Sequence, residues 1–152
     1  MKVFSEEWVK AYVDAINNNP NYKSAASWWE GDFLFVVEPS GNLDHEIKMF
    51  LGLYHGECTG GKILKEGEKY EILKPGSPPK PLKEGEPVAV EFVFSGTYDN
   101  WVKVLKKELD PIQGLMAGKF KLIGNMAKVM RATKAAQELV NSTTMIENVE
   151  FY

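Results

Sequence analysis

Apolar residues recur at helical spacing near the start of the chain and again after residue 97. The first stripe predicts an amphipathic helix over residues 4–19, which begins at Ser5. Its buried face should consist of Phe4, Trp8, Tyr12, Ala15 and Ile16. Pro20 and the asparagines before it end this helix, and a second short helix should follow over residues 21–29. The later stripe consists of Tyr98, Trp101, Val102, Leu105 and Leu109.

Strand-like alternation fills the region between these helices. Residues 31–57 predict a β-hairpin with its turn at 39–42, and residues 69–73 predict a weaker strand. The second hairpin strand should bury Ile47, Met49, Leu51 and Leu53. Residues 88–95 show the clearest alternation, with one face made of Val88, Val90, Phe92 and Phe94. Residues 74–87 are rich in Pro and Gly, which predicts an exposed loop between two strands of the same sheet.

The segment 110–132 predicts a helix, a strand and a helix in quick succession. Asp110 should cap a short helix, with Pro111 at its first position and Gln113 completing a capping box. Phe120 and Leu122 should lie on the buried face of the strand. A final helix, capped by Asn125, should run to about residue 140 with its apolar positions at Met126, Val129, Met130 and Thr133.

About five strands with helices before and after them predict an α+β fold with a largely antiparallel sheet. The segment 88–132 also resembles the sterol carrier protein type-two family. The resemblance rests on a strand and helix, a Pro-containing short helix, the strand GKFKLIG and an Asn-capped helix with Met and Ala. It implies a sheet covered mainly on one face by helices, with an apolar cavity. One lipid-binding domain over residues 1–152 is therefore expected.

The resemblance implies a protein that binds a long apolar ligand without catalysis, with lipid transfer as a further role. The ligand classes are a fatty acid, an acyl-CoA, a phospholipid, an isoprenoid or a sterol, held in a tunnel under the last helix. The expected cavity wall consists of Met49, Phe92, Phe94, Leu115, Met116, Phe120, Leu122, Met126, Val129 and Met130. Judged from the residues alone, core packing is the better explanation for these side chains, since methionine also serves as core filler.

Composition limits the classes of partner and the compartment. The 152 residues are 44% hydrophobic and 26% charged, as in ordinary soluble proteins, and a net charge of -3 with mixed signs offers no field for nucleic acid. Cys58 is the single cysteine, which excludes an internal disulfide and fits a reducing compartment. The N-terminus does not read as a signal peptide, and no apolar run is long enough to span a bilayer. We therefore expect a cytoplasmic protein.

The sequence contains no clear motif for catalysis or for metal binding. Residues 56–63 match the spacing of a phosphate-binding loop, but Ile63 replaces the hydroxyl residue, so a Gly-rich turn between strands is the preferred interpretation. His45 and His55 stand at opposite ends of one strand, roughly 33 Å apart. Glu91 and Asp99 are explained by surface and helix-start positions. We expect no catalytic residue, no metal site and no cofactor.

Several alternatives stay open at this point. The domain could serve as a protein-interaction or dimerisation module with a collapsed pocket, or, less favoured, as a small enzyme acting on an acyl ligand. The tail 142–152 could be a lid, or it could dock permanently or fray. One basic group consists of Lys103, Lys106, Lys107, Lys119, Lys121 and Lys128. The preferred interpretation is a solvated face. The less favoured one is a weak binding patch for an anionic membrane or a coenzyme A phosphate.

Overall fold

The computed structural model describes residues 1–152. Two helices come first, six strands follow, and four helices with one further strand complete the chain. In chain order the elements are α1 (Glu6–Asn17), α2 (Pro20–Ala25), β1 (Phe33–Glu38), β2 (Ile47–Tyr54), β3 (Glu57–Ile63), β4 (Tyr70–Ile72), β5 (Val88–Val90), β6 (Phe92–Thr97), α3 (Tyr98–Leu105), α4 (Pro111–Met116), β7 (Phe120–Ile123), α5 (Met126–Arg131) and α6 (Thr133–Thr143). This order confirms the predicted α+β class. None of these helices has the length and apolar character needed to cross a bilayer.

Five strands form the main sheet in the order β3-β2-β1-β6-β7. β1 pairs antiparallel with β2, as the predicted hairpin requires, and the β2–β3 and β6–β7 pairs are antiparallel too. β1 and β6 are parallel, so the sheet is mixed but largely antiparallel, as predicted. The strands β4 and β5 form a separate parallel pair, and the predicted exposed loop joins them.

Each face of the main sheet is buried by a different layer. The helices cover one face, where the predicted inward residues of β2 join the large core cluster together with Phe33, Phe92 and Phe94. The other face carries Leu34 and Phe50, which pack in a smaller cluster with valines from β5. The helical cover on one face was predicted. The small β4–β5 sheet over the other face was not predicted.

The predicted strand over residues 88–95 is interrupted at Glu91. The backbone N–H groups of Glu91 and Phe92 both donate to the Asp32 carbonyl oxygen, at 3.1 Å each, which breaks the ladder at this point. The alternation therefore changes phase: Val88 and Val90 pack on the outer face, and Phe92 lies on the helix-covered face. The prediction that all four apolar residues share one face was wrong.

The Gly-rich segment 56–63 is largely strand β3, and the prediction of a turn was wrong. It forms the edge of the main sheet and lies under α1. A Cβ atom on Gly61 would come within 2.7 Å of the Val9 side chain and 2.9 Å of the Val13 side chain. Glycine is therefore needed here for close packing of a helix on a strand, and the phosphate-loop spacing is a coincidence of composition.

Side-chain caps set the starts of several helices at the predicted residues. Ser5 accepts a hydrogen bond from the Trp8 N–H, and Asn125 accepts one from the Lys128 N–H. Asp110 accepts from two N–H groups of α4, and no bond returns from the Gln113 side chain, so the cap is confirmed without the predicted capping box.

The predicted final helix is divided into α5 and α6. Ala132 has φ -93° and ψ 22°, outside the helical range, and provides no side-chain cap for α6. The Thr133 hydroxyl donates to the Met130 carbonyl oxygen across this break at 2.8 Å. The junction at Ala132 is therefore a bend between two short helices that lie over the same side of the sheet.

The C-terminal tail docks against the N-terminus. The Val3 N–H donates to the Glu150 carbonyl oxygen at 2.8 Å, and the Glu150 N–H donates to the Met1 carbonyl oxygen at 2.7 Å. The Tyr152 N–H donates to the Tyr98 hydroxyl at 2.8 Å. The tail is therefore docked in this structure and not frayed.

Replacing Gly61 by alanine tests the close packing of β3 under α1. We expect Gly61→Ala to lower the free energy of unfolding by about 1 to 3 kcal/mol, because the new methyl group overlaps Val9 and Val13. Gly60→Ala is the matched control, since its Cβ would meet only the Leu82 side chain, at an ordinary 3.5 Å. Urea unfolding of both variants measures the difference, and equal stabilities would contradict this packing.

Candidate functional site

An apolar pocket of about 90 Å³ lies between the main sheet and the helices. Twenty of its 22 lining residues are hydrophobic, and none carries a charge. All six helices contribute side chains, as do β1, β2 and β6. The aromatic part of the lining consists of Phe4, Trp8, Tyr12, Tyr22, Trp29, Phe33, Phe35, Phe94 and Trp101.

The sheet side of the pocket is built from aromatic rings held in fixed positions. The Phe33 and Phe35 rings stack with their centroids 5.0 Å apart, and Trp101 meets Phe35 edge-on at 5.7 Å. The Trp101 Nε1–H donates to the Val36 carbonyl oxygen at 3.0 Å. Similarly, the Trp29 Nε1–H donates to the Gly31 carbonyl oxygen at 2.8 Å. Hydrogen-bonded, mutually packed rings have few ways to move into an adjoining space.

The α5–α6 segment on the other side presents small residues to these rings. Ala132, Ala135 and Ala136 line the pocket from the α5–α6 segment. The methyl groups of these alanines are too short to fill the space between α6 and the sheet. The pocket therefore remains open. Further along α6, Leu139 and Val140 complete this side.

Polar contacts fasten α6 over the pocket. The Tyr12 hydroxyl, at the pocket wall, donates to the Leu139 carbonyl oxygen at 2.9 Å. The Asn19 side-chain amide donates to the Ser142 hydroxyl at 3.0 Å in a buried contact. Burial raises the pKa of the Tyr12 hydroxyl well above its usual value, and Cys58 adds to this. The phenol therefore stays protonated and serves as a hydrogen-bond donor.

The structure brings most of the predicted wall residues into one core, and three of them line the pocket itself. The lining residues are Met49, Phe94 and Val129. Three more are buried in the same cluster but do not line the pocket, namely Phe92, Leu115 and Phe120. Leu122 and Met130 pack against this cluster from partly exposed positions. Met116 and Met126 lie outside it, with 68% and 47% of their surface exposed.

Sequence reasoning missed the contribution of the N-terminal half to the pocket. Trp8 and Tyr12 were assigned to a buried helix face, which is their position here, and Phe33 and Phe35 lie on the helix-covered face of β1. The alternation and helical stripes therefore identified inward-facing residues. They gave no signal for which inward residues would meet a gap, because that depends on the alanines opposite them.

A buried charged group lies beside the pocket. Glu91, expected at the surface, is 3% exposed, and its carboxylate accepts a hydrogen bond from Lys128 Nζ at 3.1 Å. Lys128 Nζ also donates to the Glu30 carbonyl oxygen and lies 5.0 Å from the centre of the Trp29 ring. The break in the strand turns Glu91 inward, and the ammonium of α5 compensates its charge. This ion pair ties α5 to the main sheet.

Asp32 is a second buried carboxyl group, close to Glu91. Its Oδ1 accepts a hydrogen bond from the Leu53 N–H at 3.0 Å. Burial raises the pKa of Asp32 from 3.8 to about 6; the Leu53 bond opposes this shift, and the neighbouring Glu91 carboxylate adds to it. Neither Asp32 nor Glu91 lines the pocket. A carboxyl group of raised pKa therefore exists, but it has no contact with the apolar space.

The remaining candidate chemistry does not assemble into a site. His45 pairs with Asp44 at 2.9 Å, and His55 pairs with Glu30 at 2.6 Å, both at the surface. Burial raises the pKa of the Cys58 thiol to about 12, which disfavours the reactive thiolate. No group of three or more His, Cys, Asp or Glu side chains converges to hold a metal ion.

Replacing Asp32 by asparagine tests its burial in the folded protein. Asparagine keeps an oxygen acceptor for Leu53 and cannot ionise, so we expect Asp32→Asn to raise the free energy of unfolding at pH 7 by about 2 to 3 kcal/mol. The folded pKa is higher than the unfolded one, so the cost of ionisation falls as pH decreases through 6. The difference should be small near pH 4 and should vanish only below the unfolded pKa of 3.8.

Urea unfolding between pH 7 and pH 4 measures this pH dependence. Asp14→Asn, at an exposed position on α1, is the control for general effects of charge. If wild type and Asp32→Asn lose or gain stability in parallel across this range, the proposed burial of Asp32 is contradicted.

The model of the SCP-2 sterol transfer family matches residues 14–137. A crystal structure of sterol carrier protein 2 is 30% identical with a TM-score of 0.74, over 95% of this chain and 98% of that chain. A conserved hypothetical protein from Thermus thermophilus, suggested as a sterol carrier protein, has the same identity and TM-score over 95% of this chain and 90% of its own.

A more distant likeness concerns the fold alone. Sterol carrier protein 2 from Yarrowia lipolytica, in its apo form, is 14% identical with a TM-score of 0.51, over 89% of this chain and 88% of that chain. Comparison with curated proteins finds no significant match.

Proposed function

Because this chain belongs to the SCP-2 sterol transfer family, we propose that it binds a long apolar ligand in the pocket between the main sheet and the helices. Membership of the family confirms the resemblance predicted from residues 88–132. The observation that carries the proposal is the lining of the pocket, which is almost entirely hydrophobic and without charge. A fatty acid, an acyl-CoA, a phospholipid, an isoprenoid and a sterol all present apolar surface of this kind.

The energetics of such binding are favourable. Each buried methylene group contributes about 0.8 kcal/mol, so a long acyl chain has a gross gain on the order of 10 kcal/mol. Loss of ligand freedom offsets much of that gain, which leaves dissociation constants of roughly micromolar or lower. The aromatic lining adds contact area without a large loss of side-chain entropy, because its rings are already fixed by their neighbours.

The pocket must widen to hold a whole ligand of this kind. Its volume of about 90 Å³ is smaller than the roughly 300 to 1,000 Å³ of typical small-molecule pockets. The bend at Ala132 joins two short helices, and α6 begins there without a side-chain cap. We propose that α6 moves outward about this junction, since the sheet side is locked by stacked rings.

The predicted wall residues take different places in this proposal. Met49, Phe94 and Val129 contact the ligand, because they line the pocket. A second set supports these residues from behind, namely Phe92, Leu115, Phe120, Leu122 and Met130. Met116 and Met126 do not contact the ligand in the closed pocket, since they are exposed at its exterior.

We propose that the protein acts by binding and transfer, without catalysis. An enzyme acting on an acyl ligand would need a reactive polar group in contact with it, and the lining contains no charged side chain. Tyr12 and Tyr22 line the pocket, but burial raises the pKa of both hydroxyls, so they stay protonated. Asp32, the carboxyl group of raised pKa, lies outside the pocket. The cytoplasmic location expected from Cys58 belongs to this proposal as well.

One observation favours a second function. The small volume of the pocket fits the alternative of an interaction or dimerisation module in which the pocket is collapsed. The two functions differ in their response to a soluble fluorescent fatty acid, because only the first function requires the pocket to open for it.

Filling the pocket from α6 tests the binding proposal. We expect Ala136→Leu to weaken binding of a fluorescent fatty acid at least tenfold, because the larger side chain occupies the space that the ligand would take. Leucine is a strong helix former, so α6 should persist. Ala127→Leu, at an exposed position on α5, is the matched control and should bind as wild type does.

Fluorescence titration measures binding, and thermal unfolding shows that each variant is folded. A folded Ala136→Leu protein that binds with wild-type affinity would contradict a ligand site at this pocket. Absence of binding by the wild type, by contrast, would support the interaction module.

A further inference from the structure

The charges of this chain are distributed unevenly. Residues 111–137 contain five basic residues and no aspartate or glutamate, in a chain whose net charge is -3. The basic residues are Lys119, Lys121, Lys128, Arg131 and Lys134. The 21 acidic residues all lie elsewhere in the sequence. A long segment free of carboxylates produces a local positive field that the net charge conceals.

This segment forms one border of the molecule. It supplies α4, β7, α5 and the start of α6, and β7 is the edge strand of the main sheet. Exposed apolar side chains accompany the charges: Met116, Ile123 and Met126 are 68%, 51% and 47% exposed. The β7 edge surface is defined here as Met116, Lys119, Lys121, Ile123, Met126 and Arg131.

The ammonium and guanidinium groups of this surface are free to meet an external anion. Lys119, Lys121 and Arg131 form no ion pair. Lys128 differs, because Glu91 already compensates it.

The nearest carboxylates in sequence are engaged elsewhere or stand apart. Asp110 caps α4 through two backbone N–H groups. Asp99 lies against the β1–β2 connection, where a Cβ on Gly41 would come within 2.5 Å of its Oδ1. Glu108 is an exposed residue before α4. Glu138, one residue after the segment, accepts hydrogen bonds from two side-chain amides. The positive field of the β7 edge surface is therefore largely uncompensated by the protein.

We propose that the β7 edge surface docks on an anionic lipid bilayer, an inference that rests on the proposed lipid-binding function. Exposed methionine and isoleucine enter the headgroup region, and the flanking lysines and arginine meet lipid phosphates and carboxylates. This combination suits a membrane surface, which offers both a negative potential and an apolar interior. Three scattered apolar side chains give too little contact area for a stable protein partner.

Docking at this surface would place the helices α4 to α6, which line the pocket, close to the bilayer. The same segment supplies Ile112, Val129, Ala132, Ala135 and Ala136 to the pocket lining. The bend at Ala132, where α6 is proposed to move, also belongs to this segment. A ligand could therefore pass between bilayer and pocket without crossing water, which is the costly step for a long acyl chain.

Charge reversal on β7 tests this surface directly. Lys119→Glu/Lys121→Glu changes two exposed side chains and touches neither the pocket nor a hydrogen bond of either side chain. We expect the double variant to bind vesicles of phosphatidylcholine with about one third phosphatidylserine tenfold or more weakly than wild type. Binding of wild type should also fall between about 0.1 M and about 0.5 M salt.

The matched control is Lys74→Glu/Lys83→Glu, which makes the same change of net charge. Both residues are exposed in the β4–β5 loop, which reaches the opposite border of the main sheet, since Leu82 contacts the space beside Gly60 of β3. This control should bind vesicles within about twofold of wild type. A second variant, Met116→Ser/Met126→Ser, should weaken vesicle binding while leaving the charges intact.

Vesicle flotation and stopped-flow transfer of a fluorescent fatty acid from vesicles provide the readouts. Loss of both in the Lys119→Glu/Lys121→Glu variant, but not in the control, supports the proposal. Equal vesicle binding by the two charge variants overturns it, as does a wild type that ignores anionic vesicles.

A titration with the fatty acid in free solution separates this proposal from the proposed function. The β7 variants should keep wild-type affinity there, because the pocket is unchanged. Loss of solution binding in the wild type would instead refute the ligand site, whatever the vesicles show.

Discussion

The structure depends on a mismatch of side-chain size across its core. One side is a sheet carrying rings that pack on one another, such as Phe33, Phe35 and Phe94. The facing helices carry alanines, at Ala132, Ala135 and Ala136. Rings fixed by their neighbours cannot advance, and methyl groups cannot reach, so an apolar space persists where a core would normally close. The proposed ligand would fill this space and complete the packing. It therefore needs only to be apolar and flexible.

The polar contacts determine which side of that space can move. Lys128 is paired with the buried Glu91. Displacing α5 would leave the Glu91 carboxylate buried without its partner, which has a high cost in free energy. The bonds that hold α6 come from the uncharged side chains of Tyr12 and Asn19, one of them to the Glu138 carboxylate, and none of them is a buried ion pair. Each contributes about 1 kcal/mol. Opening at α6 is therefore the cheaper motion, and the bend at Ala132 lets α6 move while α5 stays in place.

Local signals in the sequence predicted much of the fold. Caps at Ser5, Asp110 and Asn125 fixed helix starts, because a side chain that satisfies free N–H groups acts over three residues. Alternation identified β1, β2 and β7. Where the outcome depended on distant groups, sequence reasoning failed. β3 is rich in glycine and carries no alternation, and the break at Glu91 comes from bonds to Asp32. Among the expected wall residues, Met126 has helical spacing but lies outside the core, at the exposed first position of α5.

The proposed ligand site is the space between the main sheet and α6. Native mass spectrometry of the purified protein, followed by denaturation and identification of released lipid, tests that proposal most directly. The account predicts one apolar molecule bound per chain, released on unfolding and absent from the Ala136→Leu variant. A wild-type protein that is bare after purification, and that also fails to take up a fluorescent fatty acid, would contradict it.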